Sequence, residues 1–149
     1  MWFSTDDGLN RYDGHTFKYF NVKNSEKQIS RSLLFLNLIE DRFGRIWIAT
    51  SEGLYFFDRD NEKIVDFSTY SGLNIPANLI NETINTVYFD SKDYLWIGSY
   101  NGIVRIKITE EIHSIKTTDY SIFTQSGDYD YSIYNNQVFS ITEDNDKKI

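Results

Sequence analysis

Few residues of this 149-residue chain could do chemistry, and none of them forms a catalytic motif. The two histidines, His15 and His113, have neither metal-ligand spacing nor a catalytic partner beside them. The acidic string Asp58–Lys63, DRDNEK, has oxygens at alternate positions as calcium loops do, but it lacks their glycine and distal glutamate. No recurrent carboxylate pair suits lyase or glycosidase chemistry. We therefore expect no enzymatic activity, no metal and no cofactor.

Aromatic and amide side chains are better suited to contact a ligand. A tyrosine ring can stack on the face of a sugar while its hydroxyl group forms hydrogen bonds. The segment SGDYDYSIYNN supplies three tyrosines and two aspartates, although a plain polar loop is the alternative for this segment. The predicted ligand-binding residues are Tyr129, Tyr131, Tyr134, Tyr100, Asn101 and Arg31.

One sequence pattern occurs three times, with its tryptophans 45 and 49 residues apart. Such a period is typical of repeated supersecondary units. A glycine lies six residues after each tryptophan. In the second and third copies an aspartate lies six residues before the tryptophan. Because the tryptophans recur at one position, we expect them to pack between sheets rather than to bind sugars. The repeat positions are Trp2, Trp47, Trp96, Gly8, Gly53, Gly102, Asp41, Asp90 and Asp144.

Composition favours strands over helices, because aromatic residues make up 17% of the chain. Each copy divides into four short strands, with the glycine in the turn between the second and the third. The sequence therefore predicts an all-β fold made of four-stranded antiparallel β-propeller blades. The predicted strands are Leu33–Glu40, Arg45–Thr50, Leu54–Asp58 and Lys63–Phe67 in blade 2, and Ile84–Phe89, Tyr94–Ser99, Ile103–Ile108 and Asp119–Thr124 in blade 3.

The copies predict a partial propeller over residues 1–149 with about three blades' worth of strands. The strands are in shifted phase, because the first blade lacks its first strand and the last blade has only that strand. Asn136 to Glu143 matches the first strand of a blade, and Asp144 places the next tryptophan at position 150. Propellers usually close with about four to eight blades. We therefore expect a homo-oligomer, in which a head-to-tail dimer closes a six-bladed ring and each C-terminal strand completes the partner's first blade. The predicted parts are the remainder of blade 1 at 1–22, blade 2 at 33–70, blade 3 at 84–126 and the first strand of the next blade at 136–149.

Charge and hydropathy argue against two classes of partner. The net charge is −7, and no basic block could follow a phosphate backbone, so nucleic acid is not an expected partner. No apolar run approaches the roughly 20 residues that span a bilayer. The start of the chain, Met1–Asp7, has no signal-peptide features, and the absence of cysteine leaves the compartment open.

The repeats read IWIATSEGLYFFD, LWIGSYNGIVRIK and, without the first residue, MWFSTDDGLNRYD. This pattern resembles the two-component regulator propeller repeat. The stretch FSTYSGLNIPANLINETINTVYFDSKDYLWIG is similar to the family's link from the last strand of one blade into the next. The resemblance covers essentially the whole chain.

Proteins with this repeat are typically sensors of hybrid two-component systems. Their propellers form a periplasmic input region, followed by a membrane span, a histidine kinase and a response regulator, and they often respond to oligosaccharides. The resemblance implies a non-enzymatic propeller segment of a periplasmic sensor that contributes to recognition of a ligand, such as an oligosaccharide, and to signal transduction. The alternative is a self-assembling structural module from a truncated sensor gene, with no ligand of its own.

Overall fold

A computed structural model of the chain describes residues 1–5, 8–20, 33–69, 75–111, 120–125 and 132–149. Within these residues, eleven strands form three antiparallel sheets, and neighbours in sequence are neighbours in each sheet. The strands are β1 (Trp2–Thr5), β2 (Gly8–Tyr12) and β3 (Phe17–Phe20) in blade 1; β4 (Phe35–Glu40), β5 (Ile46–Thr50), β6 (Gly53–Asp58) and β7 (Lys63–Asp66) in blade 2; and β8 (Ile84–Phe89), β9 (Tyr94–Ser99), β10 (Ile103–Lys107) and β11 (Tyr120–Phe123) in blade 3. The all-β fold of antiparallel propeller blades is thus confirmed.

The repeated aspartate organises the turn between the first two strands of a blade. Asp41 Oδ1 accepts hydrogen bonds from the backbone N–H groups of Phe43 and Arg45, at 2.9 and 3.0 Å. Its Oδ2 accepts one from the indole N–H of Trp47, six residues on, at 2.9 Å. In blade 3, Asp90 accepts the corresponding bonds from Lys92, Tyr94 and Trp96, at 2.8, 2.8 and 2.7 Å. The spacing of six therefore joins a turn to the tryptophan of the next strand.

The repeated glycine follows the turn between the second and third strands, where the backbone of another element approaches it closely. Gly102 has a φ of +130°, and a Cβ built on it would lie 2.6 Å from the carbonyl oxygen of Phe123. Only a residue without a side chain fits there. The same turn is tied by a hydroxyl group in each blade, through Thr5, Thr50 and Ser99, which donate to the glycine three residues on at 3.1, 2.7 and 3.2 Å.

Two apolar cores lie between the blades. The first joins one face of blade 2, including Ile46, Ile48 and Phe57, to Leu9 and Phe20 of blade 1. The second joins the opposite face of blade 2 to blade 3, and its residues include Trp47, Ala49, Phe56, Leu95, Ile97 and Ile106. Each blade thus packs its tryptophan face against the other face of the following blade, because one small sheet cannot cover its own apolar sides.

An arginine bridge joins blades 2 and 3 at one end of the strands. Arg45 donates from Nε to Asp41 Oδ2 at 2.7 Å, and from its terminal nitrogens to the carbonyl oxygens of Thr109 and Glu110, at 2.7 and 3.1 Å. The Arg45 side chain is only 13% exposed. The guanidinium group therefore has both a buried counter-charge and fixed acceptors, which is the arrangement that compensates for its burial.

Residues 136–143, expected as the first strand of a further blade, have no strand partner among the described residues. They nevertheless lie against blade 3: the N–H of Val138 donates to Ser99 at 2.9 Å, and Asn85 donates to the carbonyl of Val138 at 2.9 Å. The next turn repeats the aspartate pattern, since Asp144 Oδ1 accepts from the N–H groups of Asp146 and Lys148, both at 2.9 Å.

Two elements lie outside the predicted pattern. Phe67, expected at the end of a strand, begins a 3-10 turn, Phe67–Thr69. Asp66 Oδ1 accepts from the N–H and hydroxyl of Ser68, at 2.8 and 2.6 Å, and this local bonding competes with the ladder. The link before blade 3 contains a short helix, α1 (Ala77–Ile80), which buries Leu79 and Ile80.

Asp119, predicted to begin a strand, lies outside the described residues. No helix of the described residues is long and apolar enough to span a bilayer.

The hairpin between β2 and β3 supplies a pH prediction. Hydrogen bonds from the backbone N–H groups of Thr16 and His15, with a further bond from the Thr16 hydroxyl, lower the pKa of Asp13 from 3.8 to about 2. Because the folded-state pKa is depressed, this contribution to stability is present above the unfolded pKa and is lost as the pH falls from about 4 to about 2. A carboxyl-carbon NMR titration should give an Asp13 midpoint near the lower value.

The control for this prediction is Thr16→Val, which removes the hydroxyl donor and one of the three bonds. The Asp13 midpoint should then move towards 3.8, the value for an isolated carboxyl group. An unchanged midpoint in that variant would show that the threonine hydroxyl does not contribute to the shift.

Candidate functional site

The predicted ligand-binding residues divide into two groups. Arg31, Tyr129 and Tyr131 lie outside the described residues, so their positions are not part of the site's geometry. Tyr100 and Asn101 lie in the turn between β9 and β10, and Tyr134 precedes the segment that packs on blade 3. The site below is therefore built around Tyr100.

Tyr100 lies at an exposed end of blade 3, in a turn that several hydrogen bonds hold in place. Ser99, the last residue of β9, fixes that turn by accepting from the N–H of Asn101 at 3.0 Å and from the N–H of Val138 at 2.9 Å. The Tyr100 ring is 46% exposed and stands nearly perpendicular to the ring of Phe139, with centroids 5.8 Å apart. Phe139 is itself 63% exposed. Two exposed aromatic rings therefore lie in contact at this end of the blade.

Phe139 was not among the predicted site residues. Its sequence signal was that of a strand, since it lies within Asn136 to Glu143, and nothing in that pattern marks one residue as exposed. The structure pairs it with Tyr100 because the segment crosses blade 3 beside Ser99. The corresponding residue of blade 2 is Leu36, which the structure also shows exposed.

Asn101 has a positioning role in the described structure. Its side-chain amide donates to the carbonyl oxygen of Asn78 and to Glu82 Oε2, both at 2.9 Å. These bonds join the β9–β10 turn to the end of helix α1 and to the residues that follow it. The amide carbonyl remains the group of Asn101 that can accept a bond from a ligand hydroxyl. Tyr134, by contrast, is 95% exposed.

The residues at the repeat positions serve the packing of the blades. Trp47 is fully buried, and its ring contacts Phe56 and Phe67 with centroids 5.6 and 5.2 Å apart. Asp41 and Asp90, at 3% and 5% exposure, accept the indole bonds. Neither tryptophan face is open to a sugar in blade 2, which agrees with a packing role for that position.

A cavity of about 840 Å³ lies at the other end of the strands, beside the Asp41–Arg45 and Asp58–Lys63 turns. It contains three arginines, each of which already has a carboxylate partner. Arg42 pairs with Asp93 at 3.0 Å, Arg45 with Asp41 at 2.7 Å, and Arg59 with Glu40 at 2.6 Å. Its charge is therefore largely satisfied within the protein. The residues that line it are Arg42, Phe43, Gly44, Arg45, Phe56, Asp58, Arg59, Asp60, Asn61, Glu110 and Glu111.

Metal and nucleophilic chemistry find no support in the described geometry. Among the residues that the structure describes, no group of three or more acidic or histidine side chains could hold a metal ion. The DRDNEK string forms a local turn, in which Asp58 accepts from the N–H groups of Asp60 and Asn61 at 3.0 and 3.2 Å. His15 donates its backbone N–H to Asp13 in a hairpin turn at the surface. His113 lies outside the described residues.

Comparison with known proteins agrees with the repeat pattern. The model of a family described as two component regulator propeller matches residues 78–101, which include β8, the Asp90 turn, β9 and the Tyr100 turn. No curated protein matches the chain. Among solved structures, the chain is similar to the extracellular domain of a protein described as a hybrid two component system, BT3049 from B. thetaiotaomicron, at 19% identity and a TM-score of 0.64.

That match covers 98% of this chain and 16% of BT3049, so the chain spans about one sixth of the length of the solved structure. A second match, at 19% identity, is to the extracellular domain of a protein described as a one component system, BT4673 from B. thetaiotaomicron. It covers 98% of this chain and 24% of the other, and its TM-score of 0.34 is too low to support a shared fold. The resemblance of the chain to the two component regulator propeller family is thus confirmed, and its fold is that of part of a propeller from such an extracellular domain.

Proposed function

We propose that the chain is a propeller segment of the extracellular sensor region of a two-component system, with a periplasmic parent, and that it recognises a ligand without transforming it. The observation that carries the proposal is the family match over residues 78–101. The matched segment is the one that builds the Tyr100 turn. The same stretch therefore carries both the family resemblance and the proposed contact surface.

The ligand-binding face is the one that carries the β5–β6 and β9–β10 turns. It is supported by the exposed Tyr100 and Phe139 rings, 5.8 Å apart, with the Asn101 amide held beside them. Apolar sugar faces pack on aromatic rings, and sugar hydroxyls bond to amide and phenol groups. We infer an oligosaccharide as the class of ligand, with Tyr134 as a further contact.

The rigidity of the blades suits signal transduction. Hydrogen bonds join the Tyr100 turn to β9 and to helix α1. Residues 136–143 pack against blade 3 beside the same turn. A ligand that bridges these elements would favour one arrangement of the blades over another. We infer that this shift is passed to a kinase elsewhere in the parent protein.

Calorimetric titration of the 149-residue chain with a panel of plant and microbial oligosaccharides tests this function. Tyr100→Ala should weaken binding of the best ligand about tenfold, because it removes one of the two stacking rings. Tyr19→Ala, which removes a tyrosine of similar exposure in blade 1, 47% against 46%, is the matched control and should leave the affinity unchanged. Equal losses in both variants, or turnover of a glycan, would contradict the proposal.

A second candidate function is assembly of the partial propeller with another copy of itself. It is favoured by the apolar face that blade 1 exposes, where Met1, Phe3 and Phe17 are 77%, 39% and 66% exposed. This function and ligand recognition are compatible, because the Tyr100 turn lies in blade 3.

A further inference from the structure

The first strand of blades 2 and 3 contains one residue that has no partner on the second strand. In blade 2 the register of β4 against β5 shifts at Leu36, and in blade 3 that of β8 against β9 shifts at Asn85. Both residues lie five positions before the repeated aspartate, and Phe139 has the same place before Asp144. A bulge re-aims a side chain, and bulges are common beside functional sites. The geometry of this bulge position is thus shared between the blades, whereas its side chain is not.

Asn85 is surrounded by neighbouring elements on both sides. Its strand, β8, pairs with β9 in the sheet of blade 3 and contacts β4 of blade 2. On the other side, Nδ2 of Asn85 donates to the carbonyl oxygen of Val138 at 2.9 Å. Gly98 of β9 leaves room for this approach, since a Cβ there would lie 2.8 Å from Val138 Cγ1. The surroundings of Asn85 are therefore set by packed elements of the chain.

The bond from Asn85 places its amide beside the two aromatic rings of the Tyr100 face. The carbonyl group that accepts this bond belongs to the peptide unit that joins Val138 to Phe139. The N–H of Val138 donates in turn to the carbonyl oxygen of Ser99, the residue before Tyr100, at 2.9 Å. Two hydrogen bonds thus connect Asn85 to the residues next to both rings.

The Asn85 amide has bonding capacity left. A primary amide can donate two hydrogen bonds and accept two. Asn85 donates one, to Val138, and its oxygen accepts none from the described residues. Asn101, the other amide of this face, directs its NH₂ group to both Asn78 and Glu82. Asn85 is therefore the amide that can both donate to and accept from a single hydroxyl group, and it is only partly buried.

We propose that Asn85 is the polar contact of the Tyr100 face, and that its amide exchanges hydrogen bonds with one hydroxyl group of an oligosaccharide that packs on Tyr100 and Phe139. This inference rests on the proposed function and adds to it the residue that distinguishes one sugar from another. Stacking on aromatic rings accepts any sugar with an apolar face, whereas a fixed polar group selects a hydroxyl group at one position. Leu36, at the bulge position of blade 2, cannot form this contact.

Calorimetric titration with the best-binding oligosaccharide of the panel and with its monodeoxy analogues tests the contact. Asn85→Leu, which gives blade 3 the bulge residue of blade 2, should weaken binding of the parent sugar about tenfold. In the wild type, one monodeoxy analogue should bind about tenfold more weakly than the parent sugar. In Asn85→Leu, that analogue and the parent sugar should bind equally, because the hydroxyl group has no partner left to lose.

A purely structural role for Asn85 gives a different result. If Asn85 only held residues 136–143 in place, its replacement would weaken binding of the parent sugar and of every analogue by the same factor. That outcome would overturn the proposal. Asn85→Ala repeats the test without the bulk of leucine, and circular dichroism should show each variant folded.

A matched control and the Tyr100→Ala variant separate this inference from the proposed function. Asn10→Leu removes an amide of blade 1 that likewise donates one bond, to Thr5 at 3.1 Å, and should leave the affinity unchanged. If Tyr100→Ala weakens binding and Asn85→Leu does not, the sugar binds at the Tyr100 face without Asn85, and only this inference is wrong. If no oligosaccharide binds the wild type, the inference and the proposed function are both wrong.

Discussion

Replacement of Asp41 with alanine is expected to lower the free energy of unfolding by about 3–5 kcal/mol. The Asp41 side chain is fully buried, and it accepts four hydrogen bonds from the backbone of Phe43 and Arg45, the Arg45 guanidinium and the Trp47 indole. Alanine leaves a buried guanidinium without its counter-charge and a buried indole N–H without an acceptor. Both are among the costly changes in a protein interior. Urea unfolding followed by circular dichroism measures the loss.

Matched variants separate the hydrogen bonds from the turn itself. Asp13→Ala removes an aspartate that also organises a hairpin turn, but at the surface, and should have a much smaller effect. Asp41→Asn should be nearly as harmful as Asp41→Ala, because its amide has a single acceptor oxygen and places an N–H donor against the donors that the second oxygen of Asp41 accepts from. Asp90→Ala should act in the same direction with a smaller loss, since a tyrosine stands in blade 3 where Arg45 stands in blade 2. Equal, small losses for Asp41→Ala and Asp13→Ala would contradict the role assigned to the repeated aspartate.

Replacement of Trp47 with alanine is expected to cost about 3–5 kcal/mol of stability. Trp47 has no exposed surface and lies in the core between blades 2 and 3, against Phe56 and Phe67. Its removal leaves a cavity between the two packed sheets, and it also leaves an oxygen of Asp41 without its indole donor. The loss is measured by urea unfolding with circular dichroism, since the substitution changes the fluorescence.

Two companions make this result specific. Tyr134→Ala removes a large aromatic side chain that is 95% exposed and should change the stability little. Trp47→Phe keeps an aromatic ring in the core, so its loss of stability should be smaller than that of Trp47→Ala. It should still be less stable than the wild type, because phenylalanine cannot donate the hydrogen bond to Asp41. A loss below about 1 kcal/mol for Trp47→Ala would show that blades 2 and 3 do not pack through this residue.

The sequence predicted the features that each blade must repeat. Each repeat has a tryptophan, with a glycine six residues after it and, in blades 2 and 3, an aspartate six residues before it. Hydrogen bonds to the backbone and the indole, and close backbone contacts at the glycine, fix these positions, so they recur at constant spacing. Gly102 illustrates this, because a Cβ there would contact the carbonyl oxygen of Phe123. The strand ends were less predictable. The strand ends before Phe67 because the Asp66 side chain accepts hydrogen bonds from the N–H and hydroxyl groups of Ser68.

The candidate site was predicted less completely than the fold. Tyr100 was recognised from its place in a turn, but its partner Phe139 came from a segment whose pattern indicated only a strand. The pairing depends on where residues 136–143 cross blade 3, which is a tertiary contact between residues 39 positions apart. The stacking of Arg105 over Trp96 and Phe123 was not predicted either. The equivalent position holds Arg11 in blade 1 and Phe56 in blade 2, and the pattern of residue types does not show which of these side chains stacks on its tryptophan.

The most direct test of the proposed sensory function is an amide NMR titration of the 149-residue chain with the oligosaccharide that binds best by calorimetry. The account predicts shift changes in the β5–β6 and β9–β10 turns, centred on Ser99–Gly102, with the Phe139 amide among them. The amides of the Asp41–Arg45 and Asp58–Lys63 turns, at the opposite end of the strands, should remain unchanged. Changes confined to those opposite turns, or no change with any oligosaccharide of the panel, would contradict ligand recognition at the Tyr100 face.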